Sequence, residues 1–548
     1  MPLINISLKD LNEVVGKKLK IEDFENISEN MKIGIEKSEG DNITLEIKDS
    51  NRPDLLSVEG IAREMRGILG KEEGLKRYKI NESDFVVKKD WRPIKIRPHI
   101  VCAVVKNIRL NDYGIKQIIQ LQEKLCEGFG RKRKEAAIGI YDFDKIKWPI
   151  CYTTTKPDGL RYIPLDMDVA LTPKEILEQH EKGKEYASLL AGAKEYPILL
   201  DKMNNVLSMP PIINSNYSGK VTDKTKNLFI EVTGFSEERI MQTLNIVVAA
   251  LADRGGEIYK VRVGKNNYPD FTEKKKKFSI DDVKELLGIE LKPKEIVGLL
   301  EKARYSAKLL KGNMIEVTIP FYRADILHSV DIIEDIAIIY GYNNIKVEEP
   351  RVFSEGSLLN STKLSNKIAT TLIGLGFQET ASFVTSNKDD QFKKMGIPVE
   401  EVIEIENPVS QTYSCLRKWL LPSLMEVLSQ NKANQYPQKI FETGEVCRPN
   451  NVAETKSENV QKLAIAICGE TVGFTEIKQT LDYLSKSLKF DYVLHNSEHQ
   501  SFIEGRCGDI IRNGKKIGFI GEINPKVILG WGLEMPVAAL EIELTDFL

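Results

Sequence analysis

Apolar residues recur along this chain in two periods, and the switches between them mark its elements. Ile43, Leu45 and Ile47 alternate with Thr44, Glu46 and Lys48, which predicts a half-buried strand. N-R-P-D-L-L at 51–56 breaks the alternation, and Ser57 is placed to cap the helix V-E-G-I-A-R-E-M-R. Short apolar runs predict further strands at 138–141, 198–200, 229–233, 258–263 and 315–319. Six more fall at 402–405, 439–441, 463–468, 507–511, 517–521 and 537–544. Thr172-Pro173-Lys174-Glu175 is a capping box with proline at the first helical position, so a helix starts there. Ser279 with Asp282 opens another, closed by Gly288, and a second helix follows Pro293. An amphipathic helix over 364–375 ends at Gly376. Strands interleaved with few helices predict an α+β protein of several domains, with segments 1–88, 89–269, 270–348 and 349–548. The lysine run at 274–277 reads as the boundary before the third.

Length agrees, because 548 residues exceed what one hydrophobic core serves. The 78 basic and 80 acidic residues leave a net charge of −2, so no global basic surface announces nucleic acid. Local candidates are Arg131-Lys132-Arg133-Lys134 and the 274–277 run, the latter read as solvated linker charge. Seven dispersed cysteines without a C-x-x-C pair predict buried thiols in a reducing compartment. The apolar stretch 246–252 is far too short to span a bilayer. The start, Met1 to Leu8, alternates like a strand and lacks a signal peptide's pattern, so a cytoplasmic protein is expected. His99, His180, His328, His495 and His499 are too dispersed for a catalytic or zinc cluster.

Chemistry concentrates between 323 and 342, in R-A-D-I-L-H-S-V-D-I-I-E-D-I-A-I-I-Y-G-Y. Asp325 precedes a helix in which Asp331, Glu334 and Asp335 stand at i, i+3 and i+4. Such neighbours lie roughly 5–6 Å apart at Cβ and repel unless something positive meets them. A hard divalent cation would suit, and a solvated acidic face is the plainer alternative. Ile332, Ile333, Ile336, Ile339 and Tyr340 form the core face, yet Ile338 stands among the acids, suggesting that this second face is covered, as by a partner chain.

Longer motifs carry a resemblance. S-N-R-P-D-L-L-S-V-E-G-I-A-R-E at 50–64, G-R-K-R-K-E-A-A-I-G-I-Y-D at 130–142 and P-P-I-I-N-S at 210–215 carry it first. The acidic motif with Y-G-Y-N-N-I, and H-Q-S-F-I-E-G-R at 499–506, complete it. Together, collinear over the chain, they resemble the beta subunit of phenylalanine–tRNA ligase in its archaeal and eukaryotic form. The resemblance implies a heterotetramer of two alpha and two beta chains, with ATP and the class II active site on the alpha chain. It implies an editing domain, a small helical, winged-helix-like metal-binding domain, and a degenerate class II synthetase-like antiparallel-sheet domain. Consistent with that decay, P-V-A-A-L-E-I-E-L at 536–544 and I-F-E-T-G-E-V at 440–446 lack the arginines that would clamp ATP.

In the family the four acids Asp325, Asp331, Glu334 and Asp335 match a magnesium site, implying Mg²⁺ in a structural role. The editing domain implies hydrolysis of mischarged tyrosyl-tRNA, with Leu199, Ser208, Glu231 and Thr233 as its pocket. On the strand 229–233, period two puts Phe229, Glu231 and Thr233 on one face; a solvent-facing strand surface is the plainer reading. Asn51, Arg52, Pro53 and Asp54 are expected to shape a turn. The expected partners are therefore the alpha subunit and tRNA, with neither membrane nor DNA. Two rivals remain at this point: a Mg²⁺-dependent phosphohydrolase using the acids directly, and a free-standing tRNA deacylase.

Overall fold

The computed structural model describes residues 2–349 and 352–547. Met1, in the expected first strand, and residues 350–351 and 548 of the expected last segment lie outside them. The chain divides after Glu349 into two units.

In the first unit, Leu3–Ser7, Asn42–Ile47 and Ile33–Glu39 form an antiparallel sheet with Asn42–Ile47 in the middle. Ser57 caps the helix Val58–Ile68 by accepting from the Gly60 N–H at 3.1 Å. The expected N-R-P-D turn is present, and Arg52 lies buried within it, donating to Asp54 at 3.0 and 2.9 Å and to Glu64 at 3.2 Å.

Two larger sheets follow. The five-stranded one ends in His99–Lys106, Leu228–Gly234 and Ala136–Asp142. The seven-stranded one runs from the Ile213–Asn214 and Val206–Met209 end through Tyr196–Leu200 and Ile150–Thr155. Ile80–Asn81 and Val86–Lys89 join these sheets, so their strands begin before residue 89. The single strand expected over 258–263 is two, Glu257–Tyr259 in one sheet and Val261–Val263 in the other. The break falls at Lys260, whose N–H turns to the Asn81 carbonyl.

One apolar cluster runs from Ile4 to Tyr322 through these sheets. Ion pairs stitch it across long chain separations: Arg63 with Asp253 at 2.8 Å, and Arg254 with Asp10 at 2.8 Å and with Glu59.

The lysine run is not a linker. Lys274–Ser279 is an edge strand paired along Met314–Ile319, with Ser306–Leu309 on the other side. Lys275 and Lys277 reach across the ladder to Glu316 at 3.3 and 3.5 Å, and lysines on an edge strand discourage stray pairing. The helices Ile280–Leu287, Pro293–Lys302 and Ser329–Tyr340 pack on this small sheet.

The second unit is built on a seven-stranded sheet, antiparallel except for the short strand Gln378–Glu379. Its interior strand Ser457–Cys468, third in the order, shows period two plainly. Leu463, Ile465 and Ile467 face the helices Asn360–Gly374 and Phe474–Leu488, while Ala464, Ala466 and Cys468 face Leu421–Gln430. The strand expected at 402–405 is absent, for that segment makes only an isolated bridge from Glu404 to Cys415. Pro408, which has no N–H to donate, stands close after it.

Six of the seven cysteines are buried and Cys151 is half-buried. Among the described residues, no helix is long and apolar enough to cross a membrane.

Candidate functional site

A cavity of about 610 Å³ in the first unit is lined from the Ala136–Asp142 and Leu228–Gly234 strands and from residues 208–214. Leu228–Gly234 is buried along its whole length, so its alternation serves an interior wall and not a solvent-facing surface.

Glu231 and Ser208 both line the cavity. Tyr141 joins them: its hydroxyl lies 2.8 Å from Ser208 Oγ and 3.0 Å from Glu231 Oε1. With one proton, the phenol can donate to the carboxylate while accepting from the serine. The other carboxylate oxygen, Glu231 Oε2, is buried without a partner. Burial raises the Glu231 carboxyl to about 7, against the smaller opposing effects of Tyr141 and Arg97.

Leu199 and Thr233 do not line the cavity. Leu199 stands opposite Ser208 in the strand ladder, as core. The Thr233 hydroxyl accepts from Arg97 Nε at 2.8 Å, so its side chain is held by a buried guanidinium. Phe229, expected on the same face as Glu231, packs against Tyr141 and Trp148 in the core. His180 does line the cavity, but Nε2 lies 3.0 Å from the Leu165 carbonyl and Nδ1 accepts from the Lys182 N–H. It braces a loop and activates nothing.

Sequence reasoning missed Tyr141 and Gly139, although both lie in the quoted motif A-A-I-G-I-Y-D. A glycine inside an apolar strand signals close approach of another group, and that was the available clue. Gly139 pairs directly with Glu231, and a Cβ there would overlap the Tyr141 hydroxyl and come within 2.6 Å of Glu231 Oε1. Gly139→Ala should therefore cost about 1–3 kcal/mol, as overpacking of a filled interior does. Urea denaturation measures it, and an unchanged midpoint would show that the Glu231 and Tyr141 side chains have room to yield.

Beside the cavity, the helix Asp112–Glu127 gives way to the basic turn 131–134. Arg131, Lys132 and Arg133 all take positive φ, at 49°, 52° and 64°. For residues bearing a Cβ this costs about 1–2 kcal/mol each. Arg97 holds the turn by donating to the carbonyls of Arg133 at 3.0 Å and Lys134 at 3.1 Å. Arg133 lines the cavity and donates to the carbonyls of Pro211 and Ile212 at 3.2 and 2.7 Å.

The four acids of the first unit's second cluster do not converge. Arg323 holds Asp325 through two bonds of 2.8 and 2.6 Å and Asp335 through one of 2.8 Å, and the Tyr305 hydroxyl donates to Asp335 at 2.5 Å. Asp331 accepts from the N–H groups of Leu327 and His328, closing the helix start, and Glu334 pairs with Lys32 at 2.6 Å. Among the described residues, no group of three or more His, Cys, Asp or Glu is set to hold a metal ion. As arranged, these residues do not fit Mg²⁺, because arginine, lysine and backbone amides already supply the positive partners that the sequence demanded. One of the acids beside Ile338, Glu334, is thus met by Lys32 of the same chain.

In the second unit, the two segments without the expected arginines are tied internally. Glu442 accepts from Arg417 at 2.7 Å and from the Ser382 hydroxyl at 2.6 Å. Glu541 accepts from the N–H groups of Leu420 and Leu421 at 2.9 Å each and pairs with Lys462 at 2.5 Å. Both carboxylates are buried.

Three family models match: the B3/4 domain over residues 109–248, the tRNA synthetase B5 domain over 276–342, and the phenylalanyl tRNA synthetase beta chain CLM domain over 345–544. Proteins named phenylalanine–tRNA ligase beta subunit are similar throughout. The one from Thermococcus sibiricus is 45% identical over 100% of this chain and 99% of its own. The one from Methanocaldococcus jannaschii is 43% identical over 99% of this chain and 100% of its own. Among solved structures, an N-terminal fragment of the phenylalanyl-tRNA synthetase beta subunit from Pyrococcus horikoshii is 42% identical, with a TM-score of 0.60. It covers 62% of this chain and 100% of that fragment. At such identity over the full length, the chain belongs to the phenylalanine–tRNA ligase beta-subunit family.

Proposed function

We propose that this chain works beside an alpha chain, as two alpha and two beta chains, in charging tRNA with phenylalanine, and that its own cavity removes tyrosine attached in error. Aminoacylation falls to the alpha chain, because the two segments that would carry ATP-clamping arginines hold instead Glu442 and Glu541, each in a buried internal pair. The single observation that carries the proofreading reading is Glu231 Oε2, buried at a cavity wall with no partner.

A pocket built for phenylalanine rejects an added hydroxyl only weakly, by about 10²-fold. A second cavity can select for that hydroxyl instead. The phenol of a tyrosyl group donates to Glu231, while Tyr141, itself bonded to Ser208, holds the carboxylate in place. A phenylalanyl group leaves the buried oxygen unsatisfied, and such a loss is costly. Hydrolysis itself needs a water whose oxygen attacks the ester carbonyl carbon. The bond to the ribose oxygen of the tRNA end then breaks, and that oxygen takes a proton. His180 is occupied, so the pocket and the terminal ribose orient this water. The phosphohydrolase reading loses its acids to Arg323 and Lys32.

The test is deacylation of tyrosyl-tRNA by the chain purified with its alpha partner. Glu231→Ala should slow it by about 10²-fold, comparable to losing one oriented polar contact to substrate. Phenylalanine charging should be unchanged. An undiminished deacylation rate would end the assignment.

A further inference from the structure

We propose that the left-handed basic turn at 131–134 is a dock for the phosphates of the single-stranded RNA end whose aminoacyl group enters the cavity; this rests on the proofreading reading above. Glycine is the residue that takes positive φ at no steric cost, yet three successive positions here carry arginine or lysine. Strain of this kind persists only where surrounding structure enforces it, and it gathers at functional sites. The enforcing structure is plain. The N–H groups of Lys132 and Arg133 return to the Glu127 and Cys126 carbonyls at 2.9 Å each, and buried Arg97 takes two carbonyls of the turn. Gly130 is the residue that must stay small, since a Cβ there would strike the Ala136 and Cys126 carbonyls.

The turn presents Arg131, Lys132 and Lys134 to solvent, and among the described residues none of the three is in a salt bridge. Arg133, from the same turn, reaches over the Tyr186 ring at 4.2 Å and grips the cavity rim at Pro211 and Ile212. The free cations thus stand in the same turn as Arg133, which lines the cavity. The cavity's own lining carries acids and bases in near balance, Glu123, Asp166, Glu181 and Glu231 against Arg133, Lys182 and Lys220, so the unpaired cations of the turn are the stronger phosphate attraction. Lysine and arginine fixed along a path supply the electrostatic part of nucleic-acid binding.

Arg131→Gly with Lys132→Gly removes both charge and strain, so the two readouts should move in opposite senses. In the full chain with its alpha partner, the thermal midpoint should rise. The KM for tyrosyl-tRNA deacylation should rise about ten-fold near 0.1 M salt, with kcat little changed. Binding of uncharged tRNA should lose salt dependence, its logarithmic slope becoming shallower by about 1.4 for two lost contacts to a single strand. Exchanging the two residues (Arg131→Lys with Lys132→Arg) should keep wild-type values.

An unchanged KM and salt slope in the glycine variant would overturn the dock. So would loss of the alpha chain from the purified complex with tRNA binding intact, which would assign the turn to an acidic protein surface. If the wild-type complex fails to deacylate tyrosyl-tRNA, the proofreading reading falls by itself, and the salt slope alone then decides the dock.

Discussion

Arg323→Ala should destabilise the first unit by about 3–5 kcal/mol, the range for removing one partner from a buried ion pair. Arg323 is buried, and its guanidinium neutralises two carboxylates at once, Asp325 and Asp335. Burial pushes the Asp325 carboxyl up, but the Arg323 charge and its hydrogen bonds outweigh that and hold it below its usual range. Deletion leaves two acids in a poorly solvated interior with the Tyr305 hydroxyl as the remaining donor to Asp335. Alanine also leaves a cavity, so the charge must be separated from the volume. Arg323→Met combined with Asp325→Asn and Asp335→Asn removes the net charge while filling the space, and should recover most of the loss. Urea unfolding followed by circular dichroism measures both. A loss below about 1 kcal/mol for the alanine variant would mean that water or another cation already screens these acids.

Glu231 should make the protein less stable as pH rises, a trend that glutamine abolishes. The folded carboxyl binds its proton near 7, against 4.5 for an ordinary glutamate. Because the folded value is the higher one, the contribution is present at low pH. It is lost progressively as pH climbs from about 4.5, and levels off above about 7. A tenfold change in proton affinity is about 1.4 kcal/mol, so the swing reaches about 3 kcal/mol. Glu231→Gln keeps the shape and cannot titrate, so its stability relative to wild type should grow by that amount between pH 4.5 and 8. Comparing the two proteins cancels the other titrating groups they share. Parallel pH–stability curves would show that the carboxyl ionises freely where it lies.

Local signals translated well because local physics decides them. Ser57, Thr172 and Ser279 cap the predicted helices, and Gly288 takes the left-handed conformation that stops one. The apolar run 463–468 is a strand as expected, and its two faces enter two different core clusters. Lysines 274–277 misled because composition suggested a linker, whereas an edge strand tolerates charge on its exposed side. The acids misled for another reason. Their spacing demanded positive partners; one, Arg323, stands in the same motif two residues before Asp325, but nothing local says that the other is Lys32, some three hundred residues earlier. At the cavity, Glu231 and Ser208 were legible through the family resemblance. Tyr141 was not, since its role depends on two sheets approaching, and only the glycine two residues before it hinted at that approach.

The long-range ion pairs of the first unit set a schedule for its synthesis. Arg63 waits 190 residues for Asp253, and Asp10 waits 244 for Arg254. At translation rates of about 5–20 residues per second, that is roughly 10–50 s on the ribosome. For that time the opening segment carries charges destined for the interior with no counterparts yet made. The small sheet of residues 3–47 can pair before then, but the links that tie it and the Val58–Ile68 helix to residues 253 and 254 must close afterwards.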